Sequence, residues 1–154
     1  MSREEGIRRW IPDQVYRDEE ESATVIKSLI GQYSGNARPD KKPLVLGLEL
    51  KQTGELIGHI GLSPALEGVE IGYAIATRHQ RQGYATEAVA AMSLWAIRVL
   101  KLFEVFGIVD RENAASCRVL EKSGYAICGE KHEEIFGHRR WCRIYRYARP
   151  DTGR

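Results

Sequence analysis

The sequence predicts one mixed α/β domain, with a mostly antiparallel sheet that contains a central parallel pair and is flanked by helices. Three observations predict it. The apolar period turns from helical to strand-like near Leu44 and back to helical at Ala85. Two β-rich runs flank a Thr53-Gly54 turn, the pattern of a hairpin. The run around Ile71, the helix opening at Ala85 and the run around Val105 form a strand–helix–strand crossover, which joins parallel neighbours.

Each element has its own justification. Residues 18–33 place Ala23, Ile26, Ile30 and Tyr33 near helical spacing behind an acidic first turn, which suits the helix dipole. Gly35-Asn36 and two prolines make residues 34–43 a loop. Residues 44–50 and 56–62 are the hairpin strands, and residues 64–68 break before a third strand over 69–76. Ala85, Val89, Met92, Ala96 and Val99 mark a helix over 85–100. Residues 103–109 are continuously β-rich, as in a strand covered on both faces. Asn113 is placed to cap a helix that Gly124 ends, and 125–128 and 141–147 close the chain as strands joined by a polar hairpin.

Composition narrows the classes of function. The 154 residues carry no internal repeat or linker, so residues 1–154 read as a single domain. A hydrophobic content of 43%, with 29% charged residues, is that of a globular chain rather than a disordered one. A net charge of +2 does not favour nucleic acid. No apolar run is long enough to span a bilayer, and the polar start Met1-Ser2-Arg3-Glu4-Glu5 is no secretion signal. Three scattered cysteines, Cys117, Cys128 and Cys142, point to a reducing cytoplasm rather than a disulfide framework.

The most informative segment is Gln80-Arg81-Gln82-Gly83-Tyr84-Ala85-Thr86, between the third strand and the long helix. Gly83 and the small Ala85 let the backbone approach a ligand closely. The helix start behind them offers unpaired N–H groups and the positive end of a dipole. Arg78 and Arg81 add charge and Thr86 a hydroxyl, so a pyrophosphate suits the turn; a plain helix start with solvated arginines suits the same residues.

These residues resemble the Gln/Arg-x-x-Gly-x-Gly/Ala signature of the GNAT acetyltransferase superfamily. The strand Glu70-Ile71-Gly72-Tyr73-Ala74-Ile75 and the block Asn113-Ala114-Ala115-Ser116-Cys117-Arg118-Val119-Leu120 are similar to the same family at matching order and distance. The second block and the hairpin around Thr53-Gly54 resemble the ribosomal-protein N-terminal acetyltransferase branch. The resemblance implies acetyl-CoA as co-substrate, direct transfer to an amine without an acyl-enzyme, and no metal. It implies that the turn, with Arg81, Gln82, Gly83, Tyr84, Ala85 and Thr86, holds the pyrophosphate. Strands splaying near Ile75 and Phe106 would free the backbone of Ile75, Ala76 and Thr77 for the pantetheine chain, with the Asn113 amide adding a contact.

Such transfer needs a base for the amine and a donor for the leaving thiolate. Glu70 is the candidate base, with Glu67 behind it; a solvated strand-end glutamate is the alternative. An ordinary glutamate titrates near 4.3, so burial or a water relay is required of a base at this position. Many family members place a tyrosine where this chain has Leu120, which cannot donate. The branch resemblance offers Ser116 as hydrogen-bond donor to the sulfur; an ordinary first-turn serine is its alternative.

Two rival readings use other residues. Cys128, His132, His138 and Cys142 are symmetric about Ile135 and would make a zinc site if a hairpin gathered them. His138-Arg139-Arg140-Trp141 with Arg143, Arg146 and Arg149 would suit a non-catalytic coenzyme A-, RNA- or ribosome-binding module. The family's usual first strand and first helix are expected to be missing, which leaves the strand over 44–50 as an open edge. That edge is expected to be covered by a second copy in a homodimer, or by residues 2–10 folding back.

Overall fold

The computed structural model describes residues 1–33, 36–135 and 137–149. In chain order the elements are α1 (Glu5–Trp10), a 3₁₀ turn (Pro12–Gln14), α2 (Glu19–Gly31), β1 (Leu44–Glu49), β2 (Leu56–Ala65), β3 (Gly68–Ile75) and a second 3₁₀ turn (Thr77–His79). Then follow α3 (Tyr84–Arg98), β4 (Glu104–Asp110), α4 (Ala114–Lys122), β5 (Ala126–Ile135) and β6 (His138–Ala148). The six strands form one sheet in the order β1-β2-β3-β4-β6-β5, antiparallel throughout except between β3 and β4. This is the mixed sheet with a central parallel pair that the crossover predicts. Among the described residues no helix is long and apolar enough to cross a membrane.

Three details depart from the sequence reading. The helix α1 is new; six residues are too few for a period to show. The strands β5 and β6 run through most of the polar hairpin that joins residues 125–128 to 141–147, because a polar ladder satisfies its backbone as well as an apolar one does. Likewise β2 runs to Ala65, shrinking the expected break at residues 64–68 to a tight turn. Ser34 and Gly35 of the first loop, Phe136 of the closing hairpin and residues 150–154 of the expected domain lie outside the described residues.

The core lies between the sheet and the helices α3 and α4. Leu62, Val89, Ala96, Val105, Leu120 and Tyr145 are wholly inaccessible to solvent. Strand alternation places Val69, Ile71 and Tyr73 of β3 on this helix-covered face, and Glu70, Gly72 and Ala74 on the other. Gly107 of β4 lets α4 approach: a Cβ there would stand 2.6 Å from Leu120 Cδ1. The absence of that side chain fixes how close α4, with Asn113 and Ser116, lies to the parallel pair.

The edge of β1 is covered in part from within the chain. The Tyr33 hydroxyl accepts from Val45 N–H at 2.9 Å and donates to Val45 C=O. Val45 therefore presents both groups outward, and Gly47 presents the next pair. Residues 2–10 do not cover this edge. Glu4 instead accepts from Thr77 N–H (2.8 Å) and Thr77 Oγ1 (2.7 Å), and Arg140 donates to Arg9 C=O at 2.8 Å. These contacts dock α1 across the ends of β3 and β6.

Candidate active site

The turn before α3 is built to leave a helix start open. Side chains cap α2 and α4: Asp18 accepts from Glu21 N–H at 2.8 Å, and Asn113 accepts from Ser116 N–H at 3.2 Å. At α3 the N-cap is Gly83, left-handed at φ 84°, and no side chain caps the helix. The N–H groups of Tyr84, Ala85 and Thr86 thus keep the polarity that suits an anion. Nothing lies within 4 Å of where a Gly83 Cβ would project. Arg81 is also left-handed, at φ 61°, which costs a non-glycine residue about 1 kcal/mol. Gln82 reaches back to Arg78 C=O at 3.4 Å.

Arg78 does not join this set. Its guanidinium pairs with Glu55, whose carboxylate also meets His79 Nε2 at 3.1 Å. The tip of the β1–β2 hairpin thereby pins the 3₁₀ turn in front of the phosphate-suited loop. Glu55 had no local sequence signal; only the hairpin brings it here.

Behind the turn, β3 and β4 register as a parallel pair only at Glu70 and Phe106. Beyond it the strands leave a wedge. Ala76 N–H turns to β2, bonding Ile57 C=O at 2.8 Å, so by alternation the groups of Ile75 face the wedge. The Ile75 carbonyl accepts from Gln80 Nε2 at 2.9 Å. Thr77 N–H is held by Glu4 and Ala76 C=O by His79 N–H. Of the three backbone candidates, Ile75 is the one turned into the wedge.

Glu70 is the most perturbed carboxylate at the wedge. Burial pushes its pKa up to about 7, and the neighbouring Glu133 carboxylate adds to the rise, whereas the Ile108 N–H and the Lys131 ammonium oppose it. Glu67 behaves differently. It accepts from Lys131 Nζ at 2.6 Å, and that bond holds its carboxyl below the usual range. Lys131 also lies 3.4 Å from Glu133. Environment therefore separates the two candidates: Glu70 is poised to exchange a proton near neutral pH, and Glu67 stays charged.

On the opposite face Ser116 Oγ lies 2.7 Å from the Tyr73 hydroxyl, which is 3.1 Å from Ser116 C=O. Burial pushes Tyr73 up to about 12. Leu120, which cannot donate, is wholly buried in the core. The phase of Tyr73 with Ile71 puts it on the helix face, but nothing local in the sequence pairs it with Ser116.

The zinc alternative loses its geometry. His132 registers with Trp141, and Cys142 with Lys131, which puts His132 on the opposite face of the hairpin from Cys142 and His138. Among the described residues no cluster of three or more His, Cys, Asp or Glu side chains is placed to hold a metal. Burial raises the Cys142 thiol to about 11, away from nucleophilic use.

Comparison with known proteins bears on this site. The profile of the family described as Acetyltransferase (GNAT) domain matches residues 1–126. Uncharacterized N-acetyltransferase YoaA of Bacillus subtilis (strain 168) is 31% identical over 109 residues, 69% of this chain and 59% of that protein. The matched part is thus less than two thirds of that relative's own length. The crystal structure of a GNAT-family acetyltransferase from Bacillus anthracis superposes with a TM-score of 0.79 at 23% identity, covering 96% of this chain and 84% of its own. That of ribosomal-protein-S5-alanine acetyltransferase from Vibrio fischeri gives 0.77 at 17% identity, covering 97% and 84%. At these identities the structural likeness is one of fold.

Proposed function

This chain belongs to the GNAT acetyltransferase family, and from that premise we propose that it moves an acetyl group from acetyl-CoA to an amine by direct attack in a ternary complex. The single observation that carries the reading is the arrangement around the β3–β4 wedge. A carboxylate titrating near 7 stands on one face, a held serine hydroxyl on the other, and an uncapped helix start on a glycine turn lies beside them.

Each group has one task in this reading. The N–H groups behind Gly83, with Arg81 and Gln82, receive the coenzyme pyrophosphate, and Ile75 receives the pantetheine amide by strand-like pairing. Asn113 uses its amide oxygen as helix cap, which leaves its NH₂ group for the coenzyme. When bound, the coenzyme supplies the thioester. Glu70 takes the proton that the attacking amine must lose, directly or through a water. Ser116 donates a hydrogen bond toward the sulfur. The acceptor approaches on the Glu70 face, where Glu67, Glu70 and Glu133 outnumber Lys131 and where Glu67 Oε2 is buried without a hydrogen-bond partner among the described residues. That surplus suits a cationic amine as acceptor, whether a protein α-amine or a small molecule.

The test combines binding and turnover. Acetyl-CoA at about a hundred times its Kd is expected to add roughly 2.7 kcal/mol of stability, read as a rise in Tm. A panel of amines with acetyl-CoA, scored by released thiol, is expected to yield at least one acceptor. Gly83→Val should erase the Tm rise, because a branched side chain fills the space the phosphate would enter. An unmoved Tm with no thiol released would defeat the proposal.

The free state of Cys117, Cys128 and Cys142 supports a reducing, cytoplasmic setting. The outward groups of Gly47 on β1, with Leu46 beside it 44% exposed, support a second copy pairing along that edge. Light scattering at micromolar concentration is expected to give twice the chain mass, and a monodisperse monomer would remove the dimer.

A further inference from the structure

We propose that Tyr73 is a positioning residue for the transfer step: its hydroxyl holds the Ser116 hydroxyl so that the serine proton points into the wedge, toward the leaving sulfur. The inference rests on the acetyltransferase reading and deepens it, because Leu120 gives the chain no donor at its position on α4.

The geometry begins with two elements far apart in sequence. Tyr73 lies on β3 with its ring on the helix-covered face, packed against the core, and Ser116 lies in the first turn of α4. Asn113 caps that turn through Ser116 N–H, and Leu120 seats the helix over Gly107. The serine backbone is thereby fixed relative to β4, while its hydroxyl remains a free rotor. A first-turn serine ordinarily turns that hydroxyl to water or to a local backbone group. Here the Tyr73 oxygen stands 2.7 Å from Ser116 Oγ and 3.1 Å from Ser116 C=O.

One phenolic proton serves this pair. Both of its partners are oxygens of the same serine, so the phenol can act as donor to either. Burial keeps Tyr73 protonated far above neutrality, which makes it a permanent donor. Given to Ser116 C=O, that proton leaves the serine hydroxyl to donate to the phenol oxygen; given to Ser116 Oγ, the shorter contact and the arrangement proposed, it turns the serine hydrogen away from the ring. No proton passes along the pair to the sulfur, which leaves as a hydrogen-bonded thiolate and takes its proton from solvent. Tyr73 titrates at about 12, whereas a free thiol titrates near 8.5, so transfer from the phenol would run uphill. Its contribution is direction: a hydroxyl already aimed needs no reorientation as charge develops on sulfur.

A double-mutant cycle tests this with any amine that the unaltered chain acetylates. Tyr73→Phe, Ser116→Ala and the double variant are compared by kcat and by KM for acetyl-CoA, with Tm measured on each as a check of folding. Tyr73→Phe is expected to lower kcat about three- to tenfold, the range of one lost hydrogen bond, with KM for acetyl-CoA little changed. The double variant should fall no further than Ser116→Ala alone, since without the serine there is nothing to aim. Ser116→Thr, which keeps a hydroxyl, should remain sensitive to Tyr73→Phe. Losses that multiply in the double variant would overturn the proposal. So would a Tyr73→Phe variant with unaltered kcat, or one in which KM and Tm move together while kcat does not. If the unaltered chain releases no thiol with any amine, the acetyltransferase reading itself fails and the role of Tyr73 with it. That outcome is distinct because it appears before any substitution is made.

Discussion

Glu70 and Tyr73 stand on opposite faces of β3, an odd number of residues apart, so one strand carries the buried carboxylate proposed as base on one face and the phenol that meets Ser116 on the other. The split-face arrangement makes the two halves of the chemistry separable by substitution.

For Glu70 the sign of the pH effect is set by its raised pKa. A base is useful when deprotonated, so turnover should rise with pH through about 7. Glu70→Gln should remove that limb and lower the rate by roughly 10²- to 10⁴-fold near neutrality. The loss should shrink at high pH, where the amine gives up its proton unaided. A pH–rate profile of both proteins on the same acceptor checks this, and a variant with the native rate at neutral pH would transfer the role away from Glu70.

The same shift has a cost in stability. The folded chain holds the Glu70 proton more tightly than the unfolded chain, whose carboxyl titrates near 4.5. The favourable contribution is therefore complete below about 4.5 and is lost as pH rises through about 7. Glu70→Gln should be more stable than the native chain above neutrality, by roughly 2 kcal/mol after allowance for solvent. Denaturant melts at acidic and neutral pH would show the difference opening as pH rises.

Lys131 restrains Glu70 from the side. Its ammonium binds Glu67 and Glu133 and favours the ionised form of Glu70. Lys131→Met should push the Glu70 pKa higher and move the acid limb of the pH–rate profile to higher pH. A limb that stays in place would mean that the ammonium does not act on Glu70.

Arg81 combines strain with charge. Its left-handed backbone suits glycine, so Arg81→Gly should stabilise the fold by about 1 kcal/mol. Removal of the cation beside the open helix start should at the same time raise KM for acetyl-CoA. A higher Tm with weaker coenzyme binding is the expected pair, and a lower Tm would show that the arginine side chain supports the fold.

Gly107→Ala tests the seat of α4. The added methyl would meet Leu120, which is wholly buried and cannot swing aside, so about 1–3 kcal/mol of destabilisation is expected. Because α4 carries Ser116, kcat should fall as well, with less effect on KM for acetyl-CoA. Urea melts and steady-state rates on one preparation would test both.

Local chemistry made much of this protein legible in its sequence. The changes of period located β1 to β4 with the helices α2 and α3, Gly83 marked the open helix start, and Asn113 and Gly124 bounded α4, because each depends on neighbours within a turn or two. The closing strands and the polar hairpin that joins them were legible too, though not how far their ladder runs, and only the short α1 escaped, because six residues carry no apolar period. Tertiary structure decided the partners: Tyr73 with Ser116, Lys131 with Glu67, Glu55 with Arg78 and His79, and Glu4 with Thr77. None of these pairs is adjacent in the chain. Each is set by strand register and by the face to which a side chain points, and a shift of one residue in register would turn every such side chain away. What separates the two base candidates, Glu67 and Glu70, is tertiary as well, since burial raises one carboxyl while Lys131 holds the other down.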